Sequence, residues 1–223
     1  MKIESIIFDF DGVLVKSNQI RNQTYFDILS HVPNSKKIIE EAIAEDSKRD
    51  RYGIIEAVLQ ELKDKNLMQF EDLGEETEKY VCRYNWITER KVSIATEVPG
   101  AEKSLEMLSQ EYPLFIVTGT IQKSIDIVLK NREMQKYFKK VYGGFRDKKE
   151  GMTILIKEQR IKQRSSIFVG DGKSDYECAR YLSMPFIGIM NETNDFEKRQ
   201  DVMWKLYDLE KLPNVIREIK ENE

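Results

Sequence analysis

Four short apolar runs, each closed by turn or polar residues, punctuate the chain: Ile6 to Phe8, Leu114 to Val117, Ile167 to Val169 and Phe186 to Ile189. Continuous apolarity over so few residues predicts parallel strands buried on both faces. Between the later runs the apolar spacing changes. Ile121, Ile125, Val128 and Leu129 fall on one helical face, as do Met152, Leu155 and Ile156. Strands that alternate with helices predict an α/β sheet with right-handed crossovers. Lys205-Leu206-Tyr207 adds a short last strand, and Leu212 to Ile219 a closing helix with Pro213 near its start.

From about Lys16 to Val92 this rhythm is interrupted. Ile38-Ile39 with Ala42-Ile43, then Ile54-Ile55 with Val58-Leu59 and Leu62, keep helical i, i+3, i+4 spacing with no strand between them. The expected organisation is therefore a core of residues 1–15 and 93–223, with residues 16–92 as a helical insertion. Ser93 to Gly100 is the return linker, because Pro99-Gly100 turns the chain before a helix that begins near Ala101.

A chain of 223 residues can bury the core of one large domain with such an insertion. Charged residues make up 34% of it with both signs mixed, and the formal net charge is -3. That balance carries no electrostatic footprint for nucleic acid, and Lys36-Lys37 and Lys139-Lys140 read as solvated faces. No apolar stretch approaches the roughly 20 residues that span a bilayer, and Met1-Lys2 runs straight into the first strand. With only Cys82 and Cys178, far apart, no disulfide framework is expected. These features lead to the expectation of a cytoplasmic protein with no membrane partner.

The single histidine, His31, lies in a loop before Val32-Pro33. A zinc site with several histidines is thereby excluded, and a histidine-dependent triad would have to recruit that one residue. Carboxylates, lysine, hydroxyls and a hard metal ion remain.

The first strand runs directly into Asp9-Phe10-Asp11-Gly12-Val13. Carboxylates two residues apart point to the same side of an extended chain and repel, so the pair calls for a cation or a retained proton. A turn or a calcium-loop fragment would also use Asp-x-Asp-Gly, but no Glu follows at the calcium-loop distance. Other strand ends carry polar chemistry too, where ligands of open parallel sheets bind. After Val117 comes Thr118-Gly119-Thr120, a hydroxyl and backbone amides before a helix whose N-terminus favours anions; an ordinary helix cap is the plainer use of these threonines. After Val169 comes Gly170-Asp171-Gly172-Lys173-Ser174-Asp175. Asp9, the Asp11 region, Asp171 and Asp175 together could satisfy magnesium, which takes a few carboxylates plus water and substrate phosphate. A dinucleotide fingerprint fails here, because Asp175 would face a pyrophosphate, and no Walker A sequence occurs. Lys148-Lys149 opens the helix of Met152 and Leu155, and an ammonium there could balance carboxylates and a phosphoryl group.

Taken in order, Asp-x-Asp-Gly-Val, a strand ending in Thr-Gly, a lysine, and Gly-Asp-x-x-x-Asp resemble the four motifs of the haloacid dehalogenase-like hydrolase superfamily. The helical insertion and Val98-Pro99-Gly100 are similar to its phosphoglycolate phosphatase and β-phosphoglucomutase branch. The resemblance implies a Rossmann-like, doubly wound parallel sheet with an inserted helical cap domain. It implies Asp9 as a nucleophile that forms an aspartyl-phosphate, and Asp11 as the acid and base. Thr118 would hold a phosphoryl oxygen, Gly119 and Thr120 would line the substrate, and Lys148 would screen charge. Mg2+ would be held by Asp9, the backbone carbonyl of Asp11, and Asp171, with Asp175 bound directly or through water.

Two departures from the branch stand out. Lys148-Lys149-Glu150-Gly151 replaces its usual lysine-proline, and Lys148 is favoured because it places Met152 and Leu155 at i+4 and i+7. Arg21 stands where the mutase has a histidine, which turns the expectation away from a mutase and leaves Arg21 to bind an anionic group of the substrate or to remain a solvated helix residue. The expected function is a magnesium-dependent phosphatase for a small phosphorylated metabolite, phosphoglycolate or a sugar phosphate first. A phosphomutase, a 2-haloacid dehalogenase and a non-catalytic regulatory protein are the alternatives.

Overall fold

The computed structural model describes residues 2–45, 50–145, 147–191, 194 and 196–221, so Met1 and Glu223, the ends of the expected core, lie outside it. The chain divides into two compact units, Met1–Ser17 with Ser93–Glu223, and Asn18–Val92. Lys16 and Ser17 fall with the sheet because their contacts do. Lys16 N–H donates to Thr96 O at 2.9 Å, and Val15 bridges Glu97.

The first unit is built on strands β1 (Ser5–Phe8), β2 (Leu114–Val117), β3 (Phe138–Tyr142), β4 (Ser166–Gly170), β5 (Phe186–Ile189) and β6 (Trp204–Leu206). They form one parallel sheet in the order β3-β2-β1-β4-β5-β6. Ile7 stands in register with Phe115 on one side and Phe168 on the other. Strands β1, β2, β4 and β5 are buried throughout, which explains why they read as unbroken apolar runs. The sheet is flanked by α5 (Ala101–Glu111), α6 (Gln122–Asn131), α7 (Lys148–Gln159), α8 (Lys173–Tyr181) and α9 (Leu212–Glu221). Met152 and Leu155 of α7 and Cys178 and Ala179 of α8 pack into one core with Ile7, Phe115 and Phe168. Pro213 takes the second position of α9, where no intrahelical N–H bond is lost.

β3 is not anticipated by the apolar pattern. Its sequence Phe-Lys-Lys-Val-Tyr is mixed because it is an edge strand, and Lys139 and Lys140 are exposed upon it. Charged side chains on an edge discourage pairing with another sheet. The last strand begins at Trp204, one residue earlier than its apolar spacing suggests.

The Asn18–Val92 unit contains α1 (Asn18–Leu29), α2 (Ser35–Glu45), α3 (Arg51–Asp64) and α4 (Leu73–Ser93), the last ending one residue beyond it. Asp50 caps α3 by accepting from Gly53 N–H at 3.0 Å. Ile28, Leu29, Ile39, Ile55, Val58, Leu59 and Leu62 form its own core, closed by Tyr25 and Tyr84, whose ring centroids lie 4.7 Å apart.

Sheet topology explains where chemistry is placed. From β1 the chain winds to β2 and β3 on one side, and β4, β5 and β6 lie on the other. The carboxyl ends of β1, β2 and β4 therefore adjoin at the point where the winding reverses, the usual ligand crevice of such sheets.

Candidate active site

Asp9 follows β1 directly and its N–H donates to Val169 O of β4 at 2.9 Å, so the strand ladder itself orients this side chain. Gly12 then adopts φ 75°, a left-handed conformation that glycine takes without a Cβ clash, and turns the chain just past Asp11. Asp171 follows β4, and Asp175 is the third residue of α8. Asp9, Asp171 and Asp175 are all buried, and each offers an oxygen within 4.8 Å of the others. Gly170 makes this convergence feasible, since a Cβ there would stand 2.5 Å from Asp175 Cβ.

Lys148 opens α7 and sends its ammonium into the cluster, 2.8 Å from Asp9 Oδ1 and 3.0 Å from Asp175 Oδ1. It also donates to Val117 O at 3.2 Å. Lys149 points elsewhere, over the Tyr181 ring, and its N–H is received by Asp147, the cap of α7. Of the two neighbouring lysines, Lys148 alone reaches the carboxylates.

Three carboxylates against one ammonium leave an excess of buried negative charge. Burial is the main force that pushes the Asp9 carboxyl up to about 7, Asp175 and Asp11 add to it, and Lys148 opposes it. Burial also disfavours the charge of Lys148, but Asp175 and Asp9 outweigh it and hold the ammonium protonated well above its ordinary range. Asp9 Oδ1 and Asp175 Oδ1 are buried and accept no well-aligned hydrogen bond. A cluster of this composition fits a hard divalent cation, which would neutralise the excess and take up oxygen lone pairs that hydrogen bonds leave unused.

The other residues singled out from the sequence take distinct places. Asp11 is held by two hydroxyls, with Ser17 Oγ donating to Oδ1 at 2.6 Å and Thr120 Oγ1 to Oδ2 at 3.0 Å. Thr118 is buried, and its Oγ1 accepts from Thr120 N–H at 3.2 Å, which leaves its own hydroxyl proton to donate. Gly119, between them, is exposed. Asp175 does double service, because its Oδ2 accepts from Gly172 N–H at 2.9 Å and caps α8. Arg21 lies on α1 of the helical unit, where its carbonyl accepts from Tyr84 OH at 3.2 Å.

Three residues of this neighbourhood escape sequence reasoning. Ser17 has no motif spacing to betray it. Asn191 and Asn194 bond Asp171, through Oδ2 at 2.7 Å and the backbone carbonyl at 2.9 Å respectively. They stand just beyond β5, so the signal that singled out the other strand ends, polar residues after an apolar run, was present there as well.

The profile of the haloacid dehalogenase-like hydrolase family matches residues 6–189. No curated protein matches at the level of sequence. Among solved structures, a predicted phosphoglycolate phosphatase from Haemophilus somnus 129PT is 19% identical with a TM-score of 0.75, the match covering 97% of this chain and 99% of that one. A candidate β-phosphoglucomutase from Thermotoga maritima is 21% identical at a TM-score of 0.72, covering 97% and 100%. The candidate HAD-hydrolase YfnB from Bacillus subtilis, bound to magnesium, is 15% identical at a TM-score of 0.69, again covering 97% and 100%. At these identities the likeness is one of fold.

Proposed function

Because the chain belongs to the haloacid dehalogenase-like hydrolase family, we propose that it is a magnesium-dependent phosphatase acting on a small phosphomonoester through an aspartyl-phosphate. The observation that carries this reading is the convergence of Asp9, Asp171, Asp175 and Lys148 where β1, β2 and β4 end. Burying so much like charge is costly for packing and useful for phosphoryl transfer, in which positioning and charge neutralisation do most of the catalysis.

In this reading Asp9 attacks phosphorus while the bond to the leaving oxygen breaks, and Asp11 supplies the proton that the leaving group takes. Water then attacks the same phosphorus, Asp11 recovers a proton, and the Asp9 oxygen departs as a carboxylate with release of phosphate. Ser17 and Thr120 suit Asp11 to this exchange, because a hydroxyl can turn from donor to acceptor and so hold the carboxyl in either protonation state. Thr118 offers its hydroxyl proton to a phosphoryl oxygen, with the Gly119 and Thr120 segment beside it. Lys148 keeps its charge in the cluster and screens Asp9 from an incoming anion.

Asp9, the Asp11 backbone carbonyl and Asp171 would hold the magnesium ion, with Asp175 in support. The ion supplies charge neutralisation at the transferring group. The Asn18–Val92 unit acts as the substrate-selecting cap, with Arg21 as its anion-binding residue. No helix among the described residues is long and apolar enough to cross a membrane, and we assign the protein to the cytoplasm. Phosphoglycolate and sugar phosphates head the list of substrates. A phosphate-release screen over phosphorylated metabolites, run with magnesium and with chelator, tests this function. Turnover that requires magnesium is expected, and turnover untouched by chelator would contradict it.

A further inference from the structure

Asp171 is held from the neighbouring strand as well as from its own. Asn191 Nδ2 donates to Asp171 Oδ2 at 2.7 Å, and Asn194 Nδ2 donates to the Asp171 backbone carbonyl at 2.9 Å. The same Asn194 amide donates to Ile189 O at 3.0 Å, at the end of β5, and the Asn194 backbone N–H donates to Asn191 Oδ1 at 3.1 Å. These contacts determine which way the Asn191 amide faces. Rotating it by half a turn would set its oxygen against a carboxylate oxygen and its NH2 against the Asn194 N–H. Side chain and main chain of one acidic residue are thus gripped together by two asparagines three residues apart.

We propose that Asn191 is a positioning residue that presents Asp171 to the cation through a single oxygen, and that it thereby favours magnesium over calcium. The proposal rests on the metal-dependent reading of the carboxylate cluster. A carboxylate that accepts an amide bond at 2.7 Å has its plane fixed and one lone pair committed. It cannot swing to chelate through both oxygens without losing that bond. Magnesium is small, insists on octahedral geometry and is content with one oxygen from each carboxylate, whereas calcium takes six to eight oxygens and welcomes two from one carboxylate. Groups that orient metal ligands typically change affinity by ten to a hundredfold when removed. Asn194 supports the same arrangement by tying the chain at Asp171 to the end of β5.

Calorimetric titration of Mg2+ and Ca2+, each alone, into the unaltered protein, Asn191→Ala and Asn191→Leu tests this directly. Asn191→Leu keeps the branching of the native side chain at Cγ and removes the donor. Circular dichroism melts identify the variants that keep the fold, which is expected because Asn191 is half-buried beyond the strand rather than in the sheet core. In the variants Mg2+ affinity should fall about tenfold or more, while Ca2+ affinity falls less, so that the ratio of the two declines. Unchanged affinities, or an equal loss for both cations in a folded variant, would overturn the role of Asn191. Absence of Mg2+ binding to the unaltered protein would overturn the metal-dependent reading itself, and the proposal with it.

Discussion

In the helical unit the buried hydroxyls of Thr24 and Thr88 bond carbonyls of their own helices, Ile20 O at 2.7 Å and Tyr84 O at 2.9 Å, whereas in the sheet unit the buried carboxylates of Asp9, Asp171 and Asp175 converge from separate elements. Asp9, Asp171 and Asp175 oppose one another across a few ångströms, with the Lys148 ammonium paired to Asp9 and Asp175. A hydroxyl that bonds back along its own helix is at rest. A set of carboxylates gathered from the ends of β1 and β4 and from α8 is poised, since it sets three carboxylates against one ammonium, an excess that a proton or a further cation offsets. The difference shows how the chain separates shape from chemistry. Residues 18–92 make a helical body from ordinary apolar packing, and the sheet concentrates its strain of charge at one end.

Removing the proposed nucleophile should break this comparison most severely. Asp9→Asn should lower magnesium-dependent phosphate release by a thousandfold or more, upwards of roughly 4 kcal/mol of barrier, in steady-state assays with an aryl phosphate. Lys148→Met comes next, because it strands the carboxylates without their counter-charge. Urea unfolding in chelator should show a loss of roughly 3 to 5 kcal/mol, and added magnesium should recover part of it. On the other side, Leu59→Ala opens the core of the helical unit and should cost about 3 kcal/mol in the same measurement. Its turnover of a small aryl phosphate should survive wherever the variant stays folded. If Leu59→Ala abolished turnover below its melting temperature, the separation of shape from chemistry would be wrong.

The smallest effect concerns a polar contact far from the cluster's logic. Asp201 accepts bonds from Arg199 and from Tyr176 OH, at 3.1 Å and 2.6 Å, and these hold its carboxyl well below the ordinary range. A depressed folded-state value adds stability above the ordinary carboxylate range, and that stability is lost as pH falls from that range down through the folded-state value. The unfolding midpoint of the native protein should therefore exceed that of Asp201→Asn near neutral pH, and the gap should close in acid. A gap that widened in acid would reverse the sign of this contact.

Much of this architecture is legible because burial on both faces leaves an unmistakable apolar run. β1, β2, β4 and β5 announce themselves in that way, and Asp9, Thr118 and Asp171 can then be read as strand-end residues. β3 is hidden because an edge strand needs apolar residues only where it meets its one neighbour, and Lys139 and Lys140 break its pattern. The choice of Lys148 over Lys149 follows from helix register, but only the fold brings its ammonium to Asp9 and Asp175. Ser17 touches a catalytic candidate through space with no spacing to encode the contact, whereas Asn191 and Asn194 carry the strand-end signal after β5 but not the identity of the residue they bond.

The central claim is that Asp9 becomes covalently phosphorylated at the end of β1. Acid quench during turnover of a phosphomonoester, followed by peptide mass spectrometry, tests it most directly. The account predicts a hydroxylamine-labile phosphoryl group on the peptide that contains Asp9, absent from Asp9→Asn. Continued phosphate release by Asp9→Asn, with no phosphoryl group on that peptide in the native enzyme, would contradict it.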